Sequence, residues 1–176
     1  MDKLNKISKT FLFLFAVTGI IWLGSYITRL SLFYQLFQSG ELVLKNFVTD
    51  QNLDGILIIL ITAVSINMIF YVSMIITFII FLILSKISLK LNGWLFISTL
   101  LIFLTFPFEL YLMHIDYEIV MTVWKNSFDS KEVLKLVVER FTILSSFPIV
   151  EILSYIAIIY LFLFQPLKAI KRKLVE

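Results

Sequence analysis

The sequence predicts an all-α integral membrane protein: four transmembrane helices with external amphipathic helical segments. Three observations point there. Of the 176 residues, 60% are hydrophobic and 15% charged, with a mean hydropathy of +1.00, whereas soluble domains run near ~45–50% apolar and about 25% charged. Four stretches approach or exceed the roughly 20 apolar residues that cross a ~30 Å hydrocarbon core. The charges that remain sort into two groups along the chain, as loops on opposite sides of a bilayer do.

Span one covers about 10–28. A cleaved signal peptide would be followed by small residues, but Tyr26, Ile27, Thr28 and Arg29 follow here, so the span is read as retained. The run from Arg29 to Gln38, rich in Leu, Phe and Tyr, continues it as an interfacial helix to Gly40. Span two, 55–84, is free of charge over 30 residues. At ~1.5 Å per residue it would extend ~45 Å, so it must tilt or project beyond the bilayer. Span three covers about 94–113, and its end is followed by His114, Asp116 and Glu118. Between it and span four, 147–164, Lys131, Glu132, Lys135, Glu139 and Thr142 fall on one helical face, with Val133, Leu134, Leu136, Val137, Phe141 and Leu144 on the rest. Asp129 ahead of Glu132 reads as its capping box. No repeat or linker divides the chain, so one domain is expected over 1–176.

Lys3, Lys6, Lys9, Lys86, Lys90, Lys168, Lys171, Arg172 and Lys173 share one side with only Asp2 and Glu176. The positive-inside rule then places both termini in the cytoplasm of a plasma (inner) membrane. The net charge of +3 is thereby a topology signal, and no direct nucleic-acid binding is expected. This basic face offers Lys168, Lys171, Arg172, Lys173, Lys86 and Lys90 to anionic lipid or to a cytosolic protein partner.

Polar residues inside spans are costly and mark function or helix contact. On span two, Thr62, Ser65, Ser73 and Thr77 lie within about 120° of one another, with Asn67 and Tyr71 opposite. Such stripes normally pack helices, and a contact between copies is one way to satisfy the Asn67 amide. Pro107 sits in a helix expected to be ending, whereas Pro148 sits in the first turn of one that is starting. Glu109 and Glu151 stand near one level: they could handle ions or protons, or pair with Arg29 or Arg140. Arg140 projects into the apolar face of its amphipathic helix and so requires a buried anion. His-x-Asp-x-Glu at 114–118 is not a known zinc spacing, and no metal site is expected. The absence of cysteine excludes thiolate chemistry. No phosphate loop, dinucleotide glycine pattern or nucleophile–His pair occurs, so neither catalysis nor a cofactor is expected.

The length, the four spans, the Gly55–Leu84 helix, the Lys168–Lys173 tail and the Phe/Ile/Lys/Asn-heavy composition resemble the small membrane subunit of the Kiwa bacterial antiphage defence system. The resemblance is one of architecture across the chain and carries no residue roles. It implies a homo-oligomeric four-span protein bound to a cytosolic DNA-binding partner. Three functional classes follow from the sequence: a non-catalytic sensing or anchoring subunit, a subunit of a small ion channel or transporter, and an enzyme accessory or membrane enzyme, of which the first is expected.

Overall fold

The computed structural model describes residues 4–38, 41–125 and 128–167. Helix α1 spans Lys6–Leu36, α2 Leu53–Ser85, α3 Gly93–Trp124, α4 Ser130–Thr142 and α5 Phe147–Phe164. The described residues form an all-α bundle in which α1, α2, α3 and α5 are each long and apolar enough to cross a membrane. At ~1.5 Å per residue α5 is ~27 Å long and matches a hydrocarbon core, while α1, α2 and α3 reach ~46–50 Å. The excess length projects from one end of the bundle.

Local signals set the helix ends. Asn5 caps α1 by accepting from the Ser8 N–H at 2.7 Å. Asp129 caps α4 by accepting from the Lys131 N–H at 2.9 Å. Helix α4 stops at Thr142 because Leu144 turns into the left-handed region at φ 54°, and α5 then begins with Pro148 in its first turn. Lys86 closes α2 at φ 50° and, with Lys90 in the 3-10 turn Leu89–Leu91, lies exposed at the opposite end of the bundle.

Three boundaries differ from the sequence reading. Helix α1 ends at Leu36, short of Gly40, and Phe37 pairs with Leu44 instead. Helix α3 does not end near Met113 but runs on to Trp124, because Asp116 is taken up by arginines on other helices while His114 and Glu118 pair on its exposed side. Pro107 therefore lies in the interior of α3 and faces outward. An outward proline leaves the carbonyl four residues back without its helical donor on a surface where no packed neighbour is disturbed.

Two apolar cores stack along the bundle. One joins Trp22, Tyr71, Met74, Phe78, Phe81, Leu95, Ile102 and Ile158. The other, among the projecting ends, joins Phe33, Leu57, Ile61, Ile115, Ile119, Val133 and Val137, so the apolar face of α4 is buried as its pattern predicts. Large apolar side chains point outward from the long helices, Ile59 at 72% and Leu163 at 73% exposure among them. Such a surface is compatible with a multi-pass membrane protein and would be an aggregation liability in water.

Asn67 is buried, and its amide donates to Ser25 Oγ at 2.9 Å and to the Trp22 carbonyl at 3.3 Å. Its partner is α1 of the same chain, so no contact between copies is needed to satisfy it. Thr62, Ser65, Ser73 and Thr77 return their hydroxyls to carbonyls of their own helix. Asn67→Leu is accordingly expected to lower stability by about 1 kcal/mol, at the size of an interhelical hydrogen bond in a membrane bundle. Thermal melting in mild detergent measures the loss, and size-exclusion with light scattering should find the mass of the assembly unchanged.

Candidate functional site

The site forms where the two cores meet. Glu109 and Asp116 are seven residues apart on α3, two helical turns, and so share its inward face. Arg29 of α1 donates through Nη1 to Asp116 Oδ2 at 2.6 Å, with both side chains buried. Arg140 of α4 approaches the same carboxylate at 3.5 Å through Nε and places Nη2 3.7 Å from Glu109 Oε2. Burial alone would pull the Arg140 guanidinium down, but the Asp116 and Glu109 carboxylates outweigh it and hold its pKa above the ordinary arginine value. Arg140 therefore stays a cation. The Arg29 guanidinium also lies 5.2 Å from the Tyr26 ring centroid, within cation–π range.

Glu151, in the second turn of α5, is fully buried beside Glu109 and Tyr26, yet neither of its carboxylate oxygens has a hydrogen bond of acceptable geometry. Below it an aromatic cage forms around Trp22, whose ring centroid lies 5.3 Å from Tyr26, 5.4 Å from Tyr71 and 4.3 Å from Tyr155. The three tyrosine hydroxyls and the Trp22 Nε1 are buried and, near as they are to one another, fall outside hydrogen-bond geometry. Three carboxylates thus face two guanidiniums in the buried interior beside the Tyr26, Tyr71 and Tyr155 phenols, one negative charge beyond what the arginines match. Among the described residues, no group of three or more His, Asp or Glu side chains is placed to hold a metal ion.

The structure distributes the sequence-derived candidates unevenly. Glu109, Glu151 and Arg140 come together. Asn67 lies apart, on the α1–α2 contact, joined to the cage through the Trp22 backbone. Pro107 faces away from the site. Lys86 and Lys90 are at the far end, and Lys168, Lys171, Arg172 and Lys173 lie outside the described residues. The residue at the centre, Asp116, lies inside the bundle, although hydropathy places it beyond the end of span three. Its seven-residue spacing from Glu109 held the signal, concealed by ending the span at the first charges. On the continued helix, His114 and Glu118 pair at 3.5 Å on the exposed side, away from Asp116.

No family model, curated protein or solved structure matches this chain.

Removing Asp116 strands Arg29 in the interior, whereas removing Arg29 leaves Asp116 with the longer Arg140 contact. Asp116→Leu is expected to cost about 3–5 kcal/mol, Arg29→Leu less, and the double variant less than their sum. Unfolding of all four proteins in the same detergent measures the coupling; additive losses would refute the pairing. His114→Ala, on the exposed flank, should leave stability unchanged.

Proposed function

We propose that this chain is a non-catalytic membrane subunit of the bacterial plasma (inner) membrane, with both termini cytoplasmic. In this reading it assembles with copies of itself and anchors, or signals to, a cytosolic protein partner. The observation that carries the proposal is the ion network tying α4 to α1 and α3. A displacement of α4 is passed to the long helices through rigid, directional contacts, and those helices present Lys6, Lys9, Lys86 and Lys90 at their other end. The basic excess at that end supports its cytoplasmic placement and suits an acidic protein surface. In line with the resemblance to the Kiwa membrane subunit, the partner would be an effector acting on invading nucleic acid, and α4 would face the site of attack.

An affinity-tagged full chain, purified from its native cell in mild detergent, should recover a stoichiometric soluble protein with a multimeric membrane component. Reversing Lys168, Lys171, Arg172 and Lys173 to Glu should abolish that recovery, since like-charge juxtaposition costs on the order of several kcal/mol. A tagged chain that elutes alone at the monomer mass would refute the proposal.

The unmatched carboxylate of the Glu109/Glu151 pair favours a second reading, a subunit of a small channel or transporter that handles protons or cations. Under it, Glu109→Gln and Glu151→Gln should each change ion flux in liposomes, and a folded wild-type preparation without flux would exclude it.

A further inference from the structure

A groove of about 520 Å³ runs along the outside of the bundle between α1 and α5. Its walls include Leu12, Ala16, Gly19 and Leu23 of α1 and Ile159 and Phe162 of α5, and Lys9 lines it near the start of α1. The groove exists because two of the smallest side chains in α1 lie opposite large ones in α5. The helices touch through the Phe15–Phe162 and Trp22–Tyr155 rings, at 5.4 and 4.3 Å between centroids, and beside those contacts Ala16 and Gly19 leave space. Gly19 has only the flexible Met74 side chain within 4 Å of where a Cβ would stand.

From Lys9 to Leu23 the groove follows α1 for 14 residues, ~21 Å, about two-thirds of a ~30 Å hydrocarbon core. It is therefore an apolar channel long enough for an acyl chain, with an ammonium group near one end. Lys6, also exposed, lies three residues earlier and so on the same side of the helix, adding a second ammonium at headgroup level. Two occupants fit an apolar slot beside a helix: a lipid chain, or a helix of a second copy. A second copy inserted with the same topology would bring its own Lys6 and Lys9 to the same height, setting like charges against one another. A phospholipid with an anionic headgroup sets opposite charges there.

We infer that the α1–α5 groove is a binding site for an anionic phospholipid, with one acyl chain along Ala16, Gly19 and Ile159 and the headgroup phosphate against Lys9. This goes beyond the anchoring role and does not depend on it, and assembly with other copies would use a different face.

The delipidated full chain in mild detergent, titrated separately with palmitoyl-oleoyl phosphatidylglycerol and phosphatidylcholine and followed by native mass spectrometry, tests the site. The wild type should retain one phosphatidylglycerol in preference to phosphatidylcholine. Lys9→Gln should weaken that retention about fivefold, the equivalent of one lysine at an anionic surface, and leave phosphatidylcholine binding unchanged. Ala16→Phe, at an exposed position on the groove wall, should abolish retention of both lipids; Ile159→Phe fills the groove from the other wall should the first variant lose its helical circular dichroism. Equal retention of the two lipids by the wild type, or undiminished retention by the groove-filling variants, would overturn the proposal. So would a lipid-free dimer that Ala16→Phe converts to monomer, which would assign the groove to a second copy. Soluble-partner recovery is read in a separate experiment, so failure here leaves the anchoring proposal standing.

Discussion

A guanidinium buried among apolar helices must have an anion, and the meeting of Arg29 with Asp116 is the constraint to which the rest of the bundle conforms. Apolar packing is non-directional: Leu, Ile and Phe faces can slide by a turn and rebury much of the same area. An ion pair at 2.6 Å cannot slide, because a one-turn shift of ~5.4 Å would leave two desolvated charges, each costing several kcal/mol. The pair therefore sets the register of α1 against α3. Arg140 approaches the same carboxylate, so the register of α4 is set by the same atoms.

The position of this network between the two cores explains the division of the fold. On one side, side chains from α1, α2, α3 and α5 pack around the Trp22 cage. On the other, α5 is absent and α4 takes its place against the projecting ends of the first three helices. The switch from α5 to α4 occurs where Glu151 and Arg140 stand, and both side chains turn inward at that level. Glu151 is the residue this arrangement leaves least satisfied. The arginines are engaged by Asp116 and Glu109, so a third carboxylate has only its neighbour's carboxyl and the Tyr26 phenol nearby. Structural networks are usually complete, and an incomplete one inside a bundle marks a place where function can draw on charge.

Much of this was legible in the sequence, for reasons particular to each element. The apolar spans announced themselves because outward-facing and inward-facing residues are both apolar in lipid, leaving long charge-free runs. Helix α4 was legible for the opposite reason: its charged residues alternate with a buried Val133/Val137 face at helical spacing, and Arg140 stands out as the one charge on that face. Asp116 was not legible as a core residue. A span read by hydropathy stops at its first charges, and only the position of Arg29 across the bundle tells that Asp116 is inside while His114 and Glu118 are outside. Asn67 was legible as a buried amide but not as to its partner. A single chain's sequence states that a polar group must be satisfied without stating by which helix, and Ser25 of α1 was as available as another copy.

The difference in helix lengths gives the network its mechanical sense. With α5 beginning at the level where α1, α2 and α3 begin to project, α4 is tied to the rest of the bundle by a covalent and an electrostatic linkage. One is covalent: the four residues 143–146, held in a tight turn by Leu144 at φ 54° and by the Phe147 N–H donating to the Leu144 carbonyl at 2.8 Å. The other is electrostatic, from Arg140 to Asp116 and Glu109. A load that lifts α4 must therefore pull on the start of α5 and on the middle of α3 together, and those two points carry Glu151 and Glu109. Separating α4 from the bundle removes Arg140, leaving a single guanidinium beside three carboxylates. Two carboxylates would then stand unmatched where one did, a cost that opposes the separation. The same contact that holds the fold in register thus ties the balance of charge around Glu109 and Glu151 to the position of α4.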